Sequence, residues 1–221
     1  MFDLTLSFDN GPDPEVTPYV LDIIGKRDIQ TTFFVIGEKL ADPERHRLSA
    51  RAQREGHWIG NHTYTHSEPL GRMRDPRAAE QEIARTQDLI GDLAHPQRWF
   101  RPFGGGGILD DRLLKRSVVD HLLAGGYSCV LWNAIPHDWD DPDKWVDRAL
   151  AQCRAQAWTL IVLHDLPTGA MRHLETFLDR ASDAGARFHQ EFPPDCVPIR
   201  SGEIKLPIEP YVSTIEENVA P

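Results

Sequence analysis

The chain has 221 residues, enough for one well-filled core and typical of a single α/β barrel. Its formal net charge of −10, with no long basic run, argues against nucleic acid or an anionic membrane as the main partner, and no apolar run approaches a membrane span. Cys129, Cys153 and Cys196 are odd in number and lack metal-ligand spacing; with no basic, apolar leader at the N-terminus, they predict buried thiols and a cytoplasmic location.

Phe2, Leu4, Leu6 and Phe8 alternate with Asp3, Thr5 and Ser7, the period of a strand. Thr17 followed by Pro18 starts a helix through Val20, Leu21 and Ile24 that stops near Gly25. A β-branched and aromatic run over 31–36 predicts a second strand, 43–55 a helix closed by Gly56, and 58–61 a short third strand. Residues 77–93 carry Ile83, Leu89, Ile90 and Leu93 on one helical face, and 99–101 predict strand four. A helix over 113–123 ends at Gly125 and Gly126. Strands at 127–132, 159–163 and 186–188 then alternate with helices at 144–154 and 174–184.

Seven strand-then-helix units predict a single-domain, distorted parallel (β/α)7 barrel over residues 1–192. Beyond Phe192 the prolines Pro193, Pro194, Pro198, Pro207 and Pro210 predict an extended tail, 193–221, packed on the barrel.

The chemically unusual residues fall at the carboxyl ends of the predicted strands. Asp9 and Asn10 follow strand one, His62 and His66 strand three, Arg101 ends strand four, Asp138 and Trp139 follow strand five, and His164 and Asp165 end strand six. In a parallel barrel this face carries the chemistry, because the βα loops converge there. Imidazoles at i and i+4 meet at one point on a helical or tightly turned segment, and imidazole suits zinc and its first-row neighbours. A third ligand must come from elsewhere, and residues 7–12 offer oxygens. The glycines at 104–107 lack the following Lys-Ser/Thr of a phosphate cradle, and no Gly-x-Ser-x-Gly elbow is present. Trp139, Trp132 and Tyr64 are candidate sugar platforms, although Trp139 also suits plain packing, and Asp138 beside Trp139 is a further candidate substrate contact.

In order along residues 5–169, these segments resemble the five motifs of the NodB-type polysaccharide deacetylases, carbohydrate esterase family 4. The family's Thr-Phe-Asp-Asp-Gly-Pro is Ser7, Phe8, Asp9, Asn10, Gly11, Pro12 here; its paired histidines are His62 and His66 with Thr63; its Arg-Pro-x-x-Gly is Arg101 to Gly105. Asp138 and Trp139 match the end of the fourth motif, and Leu163 and His164 the fifth. The resemblance implies that Asp9 is the general base, that Arg101 steadies it, and that His164 is the general acid. It also implies His62, His66 and position 10 as ligands of a divalent metal, zinc by family habit, and the Gly104 N–H as an oxyanion donor.

Two positions depart from the pattern. Asn10 replaces a ligand carboxylate by a neutral amide; a unit charge about 4 Å away is worth roughly 4 kcal/mol at an effective dielectric of 20, so metal affinity should fall. Ile135 stands where the family places an acid that tunes the acid histidine, leaving Asp138 or Asp165 to substitute. The expected reaction is N-deacetylation of an N-acetylated sugar or oligosaccharide. Two alternatives remain open: metal-free hydrolysis of a small cyclic amide, as in the allantoinases that resemble the same barrel, and a carbohydrate-binding homologue that has lost catalysis. Oligomeric state is not set by the sequence.

Overall fold

The computed structural model describes residues 1–214. Strand β1 (Phe2–Asp9) is its centre. Along one edge it pairs in parallel with β6 (Trp158–His164), from Asp3↔Trp158 to Asp9↔His164. Its other edge is shared by two parallel strands. β7 (Ala186–His189) takes Phe2–Thr5, and β2 (Thr32–Val35) takes Ser7–Asp9. The sheet continues in parallel through β3 (Trp58–Asn61), β4 (Trp99–Phe100) and β5 (Ser128–Cys129). Beyond β5 the chain crosses to β6, where Ala134 pairs with Ile161 and the Val162 N–H donates to the Ala134 carbonyl at 3.0 Å, curling the sheet towards closure.

The period-two pattern of β1 separates two kinds of buried face, rather than core from water. Phe2, Leu4, Leu6 and Phe8 pack in one cluster with Val20, Leu21 and Ile24 of α1 (Val16–Gly25) and with Phe177 and Leu178 of α7 (Leu174–Asp183). Thr5, Ser7 and Asp9 are also buried, as the strands of a helix-covered parallel sheet are, and their polar atoms find partners inside. Ser7 Oγ donates to the Ile161 carbonyl at 2.9 Å and accepts from Arg101 at 2.7 Å.

Several predicted boundaries move. Strands four and five shrink to two residues each, and a four-residue helix α2 (Gly37–Leu40) was not anticipated. Helix α3 (Pro43–Arg54) is capped by Asp42, which accepts from the Glu44 and Arg45 N–H groups. The predicted 77–93 helix is three pieces: a π-helical turn (Ala79–Ala84), α4 (Arg85–Ile90) and a 3-10 turn (Gly91–Leu93). Helix α5 (Arg116–Ala124) begins later than predicted, and α6 (Trp145–Arg154) precedes β6.

The sheet is not wholly parallel. β8 (Ile199–Arg200) runs antiparallel to β5 and turns back as β9 (Glu203–Ile204), because the free edge of β5 would otherwise leave backbone donors and acceptors unpaired. These strands lie within the Pro-rich stretch, whose last residues, 215–221, fall outside the described part. Cys129, Cys153 and Cys196 are free and buried. Among the described residues no helix is long and apolar enough to cross a membrane.

Candidate active site

The strand register does most of the assembly. Asp9 and His164 are directly paired residues at the carboxyl ends of adjacent strands β1 and β6. His62 follows β3, and Arg101 follows β4 with its N–H donating to the Asn61 carbonyl at 2.9 Å. Asp9, Asn10, His62, His66, Gly104, Trp139 and His164 all line one cavity of about 320 Å³, with Phe103, Trp132 and Ile135 among its apolar walls.

Arg101 is fully buried and organises the floor. Its Nη1 donates to Asp9 Oδ1 at 2.7 Å and to Ser7 Oγ at the same distance, and its guanidinium lies 4.1 Å over the Phe34 ring. The Arg101 carbonyl meets His62 Nδ1 at 2.8 Å. A carbonyl can only accept, so the proton is on Nδ1 and the lone pair is on Nε2, 3.5 Å from Asp9 Oδ2. Burial pushes the His62 imidazole towards its neutral form, against the pull of Asp9.

His66 lies 4.8 Å from His62 between ring centroids and 3.9 Å from Phe103. Burial, followed by the nearby His62 and His164, lowers its pKa to about 2, so this ring is neutral at working pH. Asn10 adopts φ 71°, a region that Asn tolerates, and its Oδ1 is buried with no hydrogen-bond partner among the described residues. Two imidazoles pushed towards neutrality and an orphaned amide oxygen, all on the lining of one cavity, have the donor chemistry a divalent cation takes. The described residues contain no group of three or more His, Cys, Asp or Glu side chains that could hold a metal.

On the opposite wall His164 Nδ1 bonds to Asp138 Oδ1 at 2.8 Å, while Asp138 Oδ2 accepts from the His164 N–H at 2.9 Å. Burial alone would lower the His164 pKa, but the Asp138 hydrogen bond and the charges of Asp138, Asp9 and Asp165 outweigh it and the net shift is upward. Asp138 therefore supplies the carboxylate that Ile135 does not, whereas Asp165 turns away. Its Oδ2 accepts from the Thr17 hydroxyl, and burial pushes its pKa up to about 7.

Two expected substrate contacts need correction. Asp138 is fully buried behind His164 and cannot touch a ligand. Tyr64 is not a cavity residue: the Arg85 guanidinium covers its ring at 3.6 Å. Trp139 does line the cavity, edge-on to His164 with centroids 4.7 Å apart. Gly104 lies against Trp132, whose ring a Cβ there would approach to 2.4 Å. Sequence reasoning passed over Phe103, Asn61 and Glu82. The only sequence signal for Glu82 is its place beside Ile83 on the buried face of the 77–93 pattern, a poor position for an unpartnered carboxylate.

A model of the polysaccharide deacetylase family matches residues 3–118. The chain belongs to the polysaccharide deacetylase family. The chain is 36% identical over 171 residues to a chitooligosaccharide deacetylase of Rhizobium leguminosarum bv. phaseoli, covering 73% of this chain and 67% of that protein, a likeness that supports a NodB-type deacetylase. It is 30% identical over 187 residues to the peptidoglycan-N-acetylmuramic acid deacetylase PdaC of Bacillus subtilis, covering 82% of this chain but 36% of that longer protein. Among solved structures, the Bc1960 peptidoglycan N-acetylglucosamine deacetylase superposes with a TM-score of 0.69 at 27% identity, covering 88% of this chain and 87% of that one. These relatives make the chain a deacetylase-type hydrolase of non-peptide carbon–nitrogen bonds, on the (β/α)7 barrel of carbohydrate esterase family 4.

Two predictions follow from the geometry. Asp138→Asn removes the anion that favours the His164 imidazolium, so the alkaline limb of the kcat–pH profile should move to lower pH; an unmoved limb counts against His164 as the proton donor. Gly104→Ala must displace Trp132 and should lower kcat/KM by about tenfold to a hundredfold, read in steady-state assays alongside the melting temperature.

Proposed function

We propose that this chain is a metal-dependent N-deacetylase of an N-acetylated sugar or short oligosaccharide, with Asp9 as general base and His164 as general acid. The observation that carries the reading is the pairing of Asp9 with His164 at adjacent strand ends, in the same cavity as two neutral imidazoles and an unpartnered amide oxygen. The similarity to proteins named chitooligosaccharide deacetylase and peptidoglycan-N-acetylmuramic acid deacetylase supports the choice of substrate class.

Hydrolysis of an acetamide needs an activated water, a partner for the developing oxyanion and a proton for the departing amine. Asp9, held by Arg101 through Oδ1, keeps Oδ2 towards His62 and takes the water's proton. Gly104 lines the cavity, and its N–H would serve as the donor to the oxyanion. His164, with Nδ1 engaged by Asp138, presents Nε2 as the nitrogen that protonates the leaving amine. Trp139 and Trp132 offer apolar faces to a pyranose ring. His62 Nε2, His66 and Asn10 Oδ1 would hold the metal, zinc being the ion this donor set suits best; when bound it supplies Lewis-acid polarisation and acidifies water.

A second reading has one observation in its favour. The neutral amide at position 10 weakens cation binding, as expected of a metal-free hydrolase of small cyclic amides. The two readings separate in one assay. The first expects acetate release from N-acetylglucosamine oligomers that a chelator stops and zinc or cobalt restores; the second expects ureide turnover indifferent to chelator. Ligand-induced thermal stabilisation with no product from either substrate would instead mark a binding protein and contradict both.

Asp9→Asn should abolish acetate release while leaving the melting transition cooperative, and retained turnover removes Asp9 as base. Asn10→Asp restores an anionic donor and should tighten zinc binding by about tenfold or more in competition titrations; unchanged affinity would remove position 10 from the ligand set.

A further inference from the structure

The loop carrying the two histidines has little regular structure of its own, yet its ring positions are fixed. Two of its residues, Thr63 and His66, adopt positive φ of 64° and 51°, a conformation that non-glycine residues hold only under outside constraint. The constraint comes from two sides. From the α2 side, the Gly37 and Glu38 N–H groups donate to the Thr63 and Tyr64 carbonyls at 2.9 and 3.0 Å. From the π-helical turn, buried Glu82 accepts three hydrogen bonds. Its Oε2 takes the Tyr64 and Thr65 N–H groups at 2.9 and 2.8 Å, and its Oε1 takes the Thr65 hydroxyl at 2.8 Å.

The π geometry has a consequence here. Widening the helix at Ala79–Ala84 changes which carbonyls are used internally, and the Ile83 carbonyl accepts from Asn61 Nδ2 at 2.9 Å. Asn61 Oδ1 in turn accepts from the Thr63 N–H at 3.1 Å. The N–H groups of residues 63, 64 and 65 thus all bond to side chains anchored in, or lying against, this one turn.

We infer that Glu82 is a positioning residue that presets the His62–His66 loop for cation binding, an inference that rests on the metal-dependent reading of the site. It touches neither substrate nor ion. It acts by satisfying the backbone of the segment between the two ligands, so that both imidazoles converge before the ion arrives. The absence of a ligand carboxylate at Asn10 makes this preorganisation more valuable, since less of the binding is supplied by charge.

The test uses the full chain, zinc alone as probe, and two variants. Glu82→Ala removes all three acceptors. Glu82→Gln retains an oxygen for the Tyr64 and Thr65 N–H groups, while its amide can donate to Thr65 Oγ1, whose own proton can turn to Ser67 Oγ, 2.8 Å away. Glu82→Ala should weaken zinc binding by about 10- to 100-fold, and Glu82→Gln should recover most of that loss. Amide hydrogen exchange at Tyr64 and Thr65 in zinc-free protein should accelerate in Glu82→Ala and stay slow in Glu82→Gln. Wild-type affinity in Glu82→Ala, or equal loss in both variants, overturns the inference. If wild-type protein takes up no zinc, the metal reading of the site fails; exchange that is accelerated only in Glu82→Ala then still identifies the clamp, and exchange unchanged in it removes that too. Should Glu82→Ala not fold, Thr65→Val at the exposed end of the clamp replaces it, with faster amide exchange at position 65 and a smaller loss of zinc affinity expected, and no change in either overturning the inference.

Discussion

The site depends on a buried ion pair, Arg101 with Asp9. Neither partner has appreciable contact with solvent, and their atoms approach to 2.7 Å. Taking two charges out of water is costly, and the cost is offset only when the remaining donors and acceptors are also engaged. Here they are: Arg101 reaches Ser7 on β1, the Val130 and Leu131 carbonyls beyond β5, and the face of Phe34 on β2, while its own carbonyl fixes His62. One side chain therefore ties the ends of β1, β2, β4 and β5 to the first histidine. Removing one partner of such a pair costs about 3–5 kcal/mol, because the other is left buried and uncompensated.

From this anchor the electrostatics diverge on the two sides of the cavity. Burial pushes His62 and His66 towards the neutral form, His66 to about 2, which is the form that the proposed metal-binding role requires. Across the cavity Asp138 and its neighbours turn the balance for His164 the other way, and its pKa rises. The sign has a consequence for stability as well. A histidine whose folded pKa is raised contributes stability that is fully present below its unfolded pKa and is lost as pH rises through the folded value. Environments that push similar side chains in opposite directions are the usual mark of divided acid, base and ligand roles.

Much of this was legible in the sequence, because the decisive residues sit at strand ends and strands announce themselves. The alternation in β1 and the positions of Asp9, His62, Arg101 and His164 after apolar runs were enough to bring them to one rim. What periodicity reports, however, is burial and not hydrogen bonding. Val130, Leu131 and Trp132 are buried like strand residues, so strand five was overextended; the ladder stops at Cys129, where the chain leaves for β6. The same limit hides the π turn inside 77–93, whose apolar spacing looks α-helical throughout. Tyr64 was misplaced because nothing local to it reveals that Arg85, from α4, lies over its ring. The sequence offered Asp138 and Asp165 alike as partner of His164, and only a contact across 26 positions decides for Asp138; Glu82, as clamp of the histidine loop 17–18 positions away, was not foreseen. Only the fold makes them neighbours.

In the proposed function, groups separated along the chain converge on one cation between His62, His66 and Asn10, beside Asp9. Crystals grown with zinc and measured at the zinc absorption edge test it most directly. One anomalous peak is expected, bounded by His62 Nε2, a ring nitrogen of His66 and Asn10 Oδ1, on the side of the cavity that Asp9 faces. A peak elsewhere, or a His62 ring turned away from Asp9 with no anomalous signal between the two histidines, would contradict it.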